Sequence, residues 1–280
     1  MTPNPGIIFV IWRESTEALL IIGILNAWLT HRPSLERVAA QRWLWCGAGA
    51  GLLGAVGLAA VLIQVGDALS DEAQEYFQIG VVFVAAALIV QMIFWMRRNG
   101  RTIQADLHGA LEGAARKSKW FAVFSLAALA VLREGSETAI FLYGTMAGIP
   151  GGSFAPMLSV ALGLLAGLGT YWLLQVSGRI FSWRFFFRVT EVMLLFLAAS
   201  LVMAGLDHLV SLGMLPSPSV GLWDTSQFLP DSGMFGSMIA GLTGYRSKPL
   251  LVEVCVYAAY WVLILWFLNR PRAGVRSRCA

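Results

Sequence analysis

The sequence predicts an all-α polytopic membrane protein: seven transmembrane helices, arranged as two inverted three-helix repeats plus one C-terminal helix. Three observations predict it. Of the 280 residues, 58% are hydrophobic and only 13% are charged, about half the ~25% charged share of a soluble domain. Seven apolar stretches recur along the chain, each near the ~20 residues that cross about 30 Å of hydrocarbon. An R-E-x-x-E pattern lies inside the first stretch and again inside the fourth. The charge deficit excludes a disordered chain and a nucleic-acid-binding domain, and argues against a soluble enzyme, so the expected surroundings are a lipid bilayer. Cys46, Cys255 and Cys279, like His31, His108 and His208, are scattered. That spacing offers neither a disulfide framework nor a zinc or haem site built from neighbouring ligands.

The first stretch, residues 6–29, begins almost at Met1, with no basic segment before it and no small-residue cleavage site after it. It therefore reads as a retained helix and not as a signal peptide. The second, 43–65, carries Gly47, Gly51 and Gly54, and the fifth, 154–176, carries Gly163 and Gly167; such spacing lets helix backbones approach closely in lipid. The third covers 76–96, the fourth 120–146, the sixth 185–206 and the seventh 250–268. Between the third and fourth, residues 99–119 are too polar to span. Leu107, Ala110, Leu111, Ala114 and Ala115 recur there at helical spacing among charges, the pattern of a helix lying along the membrane face. Residues 207–249 form the long external connection, in which 234–245 is apolar enough to dip into the membrane or cap a pore. The chain thus divides into a first repeat (1–98), a cytoplasmic amphipathic linker (99–119), a second repeat (120–210), an extracytoplasmic loop (211–249), and the seventh helix with a basic tail (250–280).

Basic residues set the orientation. All but Arg13, Arg133, Arg246 and Lys248 fall in the connections after the first, third and fifth stretches, at the start of the sixth, or in the tail. The positive-inside rule makes that side cytoplasmic, which places the N-terminus outside and the C-terminus inside. The alternate connections are mainly acidic.

The motif Arg13-Glu14-Ser15-Thr16-Glu17 recurs 120 positions later as Arg133-Glu134-Gly135-Ser136-Glu137. Because three helices separate the copies, the second unit runs the opposite way across the bilayer. Inverted repeats of this kind are a transporter architecture, with the site near the midplane. Glu14 lies about 12 Å in from the outer end of its stretch and Glu134 about 21 Å from the inner end of its own, at 1.5 Å per residue. Both land near the middle.

A charge at the bilayer centre costs about 2.5–3.5 kcal/mol on insertion scales, so six of them require a reason. Residues i and i+3 share a helix face; Glu14 with Glu17, and Glu134 with Glu137, each point one way, with Arg13 and Arg133 beside them. Structural Arg–Glu bridges would need equal numbers of acids and bases, and here acids are in excess. Four carboxylates facing each other suit a multivalent cation, and their hard oxygens suit magnesium, calcium, manganese or iron better than copper(I). Ser15, Thr16, Ser136 and Thr138 are possible additional oxygen donors, whereas Cys46, Cys255, Met193 and Met203 read as core packing. Glu191 lies within the sixth stretch, where it is either an i, i+3 partner of Arg188 or part of an ion path. Asp71, Glu72 and Glu75 head the third stretch beside Asp67; with Glu253, at the outer end of the seventh, they form a candidate outer mouth that collects cations.

These residues are where the chain resembles a known family. Paired R-E-x-x-E motifs in the first and fourth of seven helices are similar to those of the oxidase-dependent iron permeases, comprising the fungal high-affinity iron permease and its bacterial EfeU-type relatives. The resemblance extends to Phe94-Trp95-Met96-Arg97, to residues 234–238 through Gly244-Tyr245, and to Glu253-Val254. It implies that Glu14, Glu17, Glu134 and Glu137 take part in moving iron (Fe2+ or Fe3+) as substrate, with Arg13 and Arg133 in support. It further implies no bound organic cofactor, an inner-membrane location, and an extracytoplasmic ferroxidase or periplasmic iron-handling partner. The chain departs from the usual R-E-G-L-E, with Ser15-Thr16 and Gly135-Ser136 between the acids. Gln78 stands where bacterial relatives carry a glutamate; at an offset of 113 it corresponds to Glu191, as though an acid had moved between halves. The alternatives are a permease for another divalent metal such as lead or manganese, a proton path, a structural subunit, or a membrane carboxylate metalloenzyme. The last normally carries Glu-x-x-His pairs, and no histidine lies near either motif.

Overall fold

Where no water is available, every backbone N–H and C=O must be paired inside the protein, and a helix does this within one segment. The computed structural model describes residues 4–30, 34–99, 120–146, 154–176, 183–215, 221–230 and 233–269. Among these residues there are eight α-helices and no strand: α1 (Pro5–Thr30), α2 (Ser34–Ala68), α3 (Asp71–Asn99), α4 (Trp120–Met146), α5 (Phe154–Val176), α6 (Trp183–Ser211), α7 (Met234–Thr243) and α8 (Leu251–Asn269). Asn99 closes α3. Residues 100–119, where a surface helix is expected, lie outside the described residues, as does the basic tail.

Helices α2, α3, α5, α6 and α8 are long and apolar enough to cross a membrane. Helices α1 and α4, at 26 and 27 residues, also exceed the ~20 that suffice, but each carries an arginine and two glutamates in its middle. Large apolar side chains are exposed along the outer faces of α2, α5 and α8, including Trp45, Leu53, Leu165, Trp172, Val262 and Trp266. Cys46, Cys255 and Met193 face outward with them. The expectation that these three pack in the core is therefore corrected, and of that group only Met203 is buried. An apolar residue on a lipid-facing helix has no need to be inside, since lipid and core are equally apolar.

Pairing follows the small residues. Gly47 and Gly51 of α2 lie against Phe124 and Ala128 of α4, and a Cβ at Gly47 would sit 3.0 Å from the Phe124 Cα. Gly163 and Gly167 of α5 lie against Ile11 and Ser15 of α1. In both pairs residue numbers rise together, so the paired helices are parallel. Helix α3 meets α6 through Phe83 against Gly205 and Arg97 on Glu191, which makes them antiparallel. Helices α1 and α2 are also antiparallel, with Gln41 Nε2 donating to Asn26 Oδ1 at 3.0 Å. It follows that α1 runs opposite to α4. Exchanging α1 with α4, α2 with α5 and α3 with α6 maps the α2–α4 pair onto α5–α1 and returns α3–α6 to itself.

Helix α1 is the enclosed one. Ile7, Phe9, Val10 and Ile11 join a core with α3, α6 and Ile264 of α8; Ile22, Leu25 and Leu29 join another with α2 and α4. Its start is built for its place. Pro5 occupies the first turn, where no N–H is needed, and Asn4 Oδ1 accepts from the amides of Gly6 and Ile7 at 2.9 and 3.3 Å. The Asn4 amide donates to Ser159 Oγ of α5 at 2.9 Å, tying the cap to its neighbour. The apolar stretch of the external connection forms α7, which packs against α6 and α1. There Ser200 Oγ donates to the Gly241 carbonyl at 2.9 Å. Helix α7 stops at Gly244, whose φ of 76° is left-handed. A Cβ at Gly244 would also come within 3.1 Å of the Ser200 backbone, so both conformation and space call for glycine.

Candidate functional site

Two antiparallel helices with acids at i and i+3 can turn four carboxylates toward one another. Three of them converge. Glu14, Glu17 and Glu134 are all buried, and each offers a carboxylate oxygen within 4.8 Å of the others. The Glu14 and Glu134 carboxylates approach to within 4.8 Å across the α1–α4 contact. Glu137, expected to make the fourth, is half-buried and paired with its own arginine, Arg133 Nε donating to Glu137 Oε1 at 3.3 Å.

The two copies of the motif differ in their surroundings. The Arg13 side chain is 2% exposed and that of Arg133 is 37%. Arg13 Nη1 donates to Glu14 Oε1 at 2.8 Å and Nη2 forms an ion pair with Glu17. The same two nitrogens reach the sulfurs of Met92 and Met96 on α3, at 2.9 and 3.1 Å. Arg133 instead lies over the ring of Trp95, 4.2 Å from its centroid, a cation–π contact that a half-exposed guanidinium can make without losing its water. Both arginines therefore rest on the same turn of α3.

Satisfaction is incomplete at the centre. Glu14 Oε2, Glu134 Oε2 and Arg13 Nε are buried with no hydrogen-bond partner, and Glu17 Oε1 touches Arg13 outside hydrogen-bond geometry. A buried polar atom left unpaired costs about 1–3 kcal/mol, so oxygens in this state mark a place where a cation would be favourable. Three of the four hydroxyls considered as further donors bond back to their own helix: Ser15 Oγ donates to the Ile11 carbonyl, Thr16 Oγ1 to Trp12 and Ser136 Oγ to Arg133, at 2.6 to 2.8 Å. Short hydroxyl side chains bond back to their own helix in this way. Trp12 Nε1 donates to Thr170 Oγ1 of α5 at 2.8 Å, which helps hold α1 in the rotation that turns Glu14 and Glu17 inward.

The remaining expected residues lie apart from this centre. Glu191 is paired with Arg97 of α3 and not with Arg188, which is exposed; of the two readings left open, the i, i+3 pairing is replaced by an inter-helix one. Gln78 is buried in α3 next to Phe77, whose ring contacts Tyr143 far along α4 from Glu134. Asp71 and Glu72 occupy the exposed first turn of α3, where the helix dipole favours acids, and Glu75 is exposed one turn on. Glu253 is buried, and its Oε2 accepts the Leu250 amide at 2.9 Å, the reach-back of a capping box at the start of α8. Sequence reasoning did not single out Met92 and Met96 as neighbours of the acids. Their i, i+4 spacing on an apolar helix was the available signal, and it does not distinguish a core stripe from a site wall.

With this geometry in place, comparison with known proteins is informative. The family model described as Iron permease FTR1 family matches residues 5–274. The protein named "Ferrous iron permease EfeU" in Escherichia coli (strain CFT073) is 28% identical over 274 residues, covering 96% of each chain. Its namesake in Yersinia pestis is 27% identical over 285 residues, covering 97% of this chain and 95% of its own. The one in Shigella sonnei is 27% identical over 274 residues, covering 96% of each. No solved structure matches the chain.

Proposed function

Since the chain belongs to the iron permease FTR1 family, we propose that it is a multi-pass membrane permease that carries iron ions inward through the glutamates of α1 and α4. One observation carries the proposal: three buried carboxylates from oppositely directed helices converge, with oxygens of Glu14 and Glu134 left unpaired. A dehydrating cation needs fixed negative oxygens to replace its water, and conduction needs that binding to stay weak enough for release. Two guanidiniums beside the acids serve the second requirement, because they compete with the ion for the carboxylates. Half-exposed Glu137 provides the step between the buried centre and the outside of the cluster. Relatives are named permeases, and the chain is accordingly read as a transporter and not an enzyme.

The same proposal includes seven spans, with α1 and α4 crossing despite their charges, and an inverted pair of three-helix repeats over 1–98 and 120–210. It is supported by the opposite directions of α1 and α4 and by the exchange of helix pairs between halves. The basic connections favour an N-terminus outside and a C-terminus in the cytoplasm of an inner-membrane protein. Exposed Asp71, Glu72 and Glu75 would then face the side from which a ferroxidase or periplasmic iron-handling protein delivers the ion. Uptake of radiolabelled iron into proteoliposomes carrying the purified chain tests the proposal. Wild-type protein accumulates iron and Glu14→Gln does not; equal uptake by both would overturn it.

A further inference from the structure

The Arg13 guanidinium is surrounded in an unusual way. Two carboxylates, Glu14 and Glu17, hold it from α1, and two thioethers, Met92 and Met96, close on it from α3. Methionine commonly fills irregular gaps in an apolar core. Here the sulfurs meet the terminal nitrogens, at 2.9 and 3.1 Å, where the positive charge sits. Thioether sulfur is a poor hydrogen-bond acceptor, so two of them make an ill-suited nest for a guanidinium's charged N–H groups. They are better suited to a borderline metal cation. The guanidinium is also incompletely held, since its Nε has no partner although the side chain is 2% exposed.

We infer that Arg13 holds the place of the transported cation, and that Glu14, Glu17, Met92 and Met96 form a mixed carboxylate–thioether site that selects ferrous iron over harder divalent ions. This rests on the permease function proposed for the same carboxylates. A metal ion and the guanidinium cannot occupy one volume, so loading displaces the arginine head. The ion then gains two charged oxygens and two soft sulfurs, with Glu134 adjoining. Carboxylates alone suit manganese and magnesium, whereas added thioether donors shift preference toward softer ions. Ferrous iron and manganous ion share a charge and differ in softness, which makes them the discriminating pair.

Full-length wild type, Met92→Leu, Met96→Leu and the double variant, each a volume-conserving change, are reconstituted and given labelled ferrous or manganous ion under reducing conditions. The wild type's preference for ferrous ion is expected to narrow about tenfold in the double variant, corresponding to about 1.4 kcal/mol of differential binding. An unchanged preference overturns the inference. X-ray absorption at the iron edge of the ferrous-loaded wild type decides independently of whether the variants fold. Sulfur among the nearest neighbours supports the site, and an oxygen-only shell overturns it. Normal iron uptake with an oxygen-only shell removes the thioether site and leaves the permease function standing. No ferrous uptake by the wild type removes both.

Discussion

A buried guanidinium inside an apolar bundle is tolerated only while anions face it, and removing one member of such a set leaves the others uncompensated. Arg13→Ala should therefore reduce folded protein, by about 3–5 kcal/mol if Glu14 and Glu17 stay ionised. Arg133→Ala should cost little, because that side chain is 37% exposed and stacked on Trp95. Melting of the purified variants in detergent separates the two; equal losses would contradict the asymmetry between the copies. The acids divide in the same way. Glu14→Gln, Glu17→Gln and Glu134→Gln keep shape but remove charge, and each should lower iron uptake by about tenfold or more, equivalent to at least ~1.4 kcal/mol. Glu137→Gln should have a smaller effect, since its half-buried carboxylate lies outside the converging trio. Initial rates at equal protein in the membrane provide the measurement, and a Glu137→Gln loss as deep as the others would put all four acids in one site.

Helix pairs are joined at contacts where a side chain has no room. Gly47→Leu would drive atoms into the Phe124 backbone and Gly163→Leu into Ile11, and overpacking of this kind costs about 1–3 kcal/mol or more. Gly57 on α2 and Gly169 on α5 have nothing within 4 Å of an added Cβ, so Gly57→Leu and Gly169→Leu should be tolerated. The comparison is between two glycines on the same helix, which removes helix propensity as an explanation. Folded yield after solubilisation reads it. The α3–α6 pair depends on a different device, the Arg97–Glu191 ion pair. Arg97→Glu should lower accumulation, and Arg97→Glu combined with Glu191→Arg should restore it. Failure of the double change to restore accumulation would mean that Glu191 has a task besides holding Arg97.

For the whole molecule, the exchange of helix pairs between halves supports the proposed inverted pair of repeats around one site. Its topology is testable at two exposed positions. With Cys46, Cys255 and Cys279 replaced by alanine, Asp224→Cys in the loop before α7 should react with a membrane-impermeant maleimide in spheroplasts. Arg37→Cys near the start of α2 should react only after lysis. Both sites are exposed, so lack of reaction reports the side and not burial. The reverse pattern would invert the orientation and with it the direction assigned to iron.

Hydrophobicity and i, i+3 spacing are local properties, and what depends on them could be read directly from the chain. The apolar stretches reappear as helices, the boundaries 120–146 and 154–176 coincide with α4 and α5, and three of the four expected acids, Glu14, Glu17 and Glu134, meet. Gly47, Gly51, Gly54, Gly163 and Gly167 likewise lie in helix contacts, because in lipid only small residues let backbones approach. Tertiary structure alone decided the partners. Glu191 has an arginine three residues away in sequence, yet pairs with Arg97, because the antiparallel register of α3 and α6 brings that residue across from it. Met92 and Met96 reach Arg13 only because α3, packed against α4 and α6, is brought beside α1. The two motif copies read alike and both meet α3, yet they end up in different surroundings, with Arg13 2% exposed and Arg133 37%. Identical local spacing cannot encode that difference, which arises from which neighbour covers each helix face.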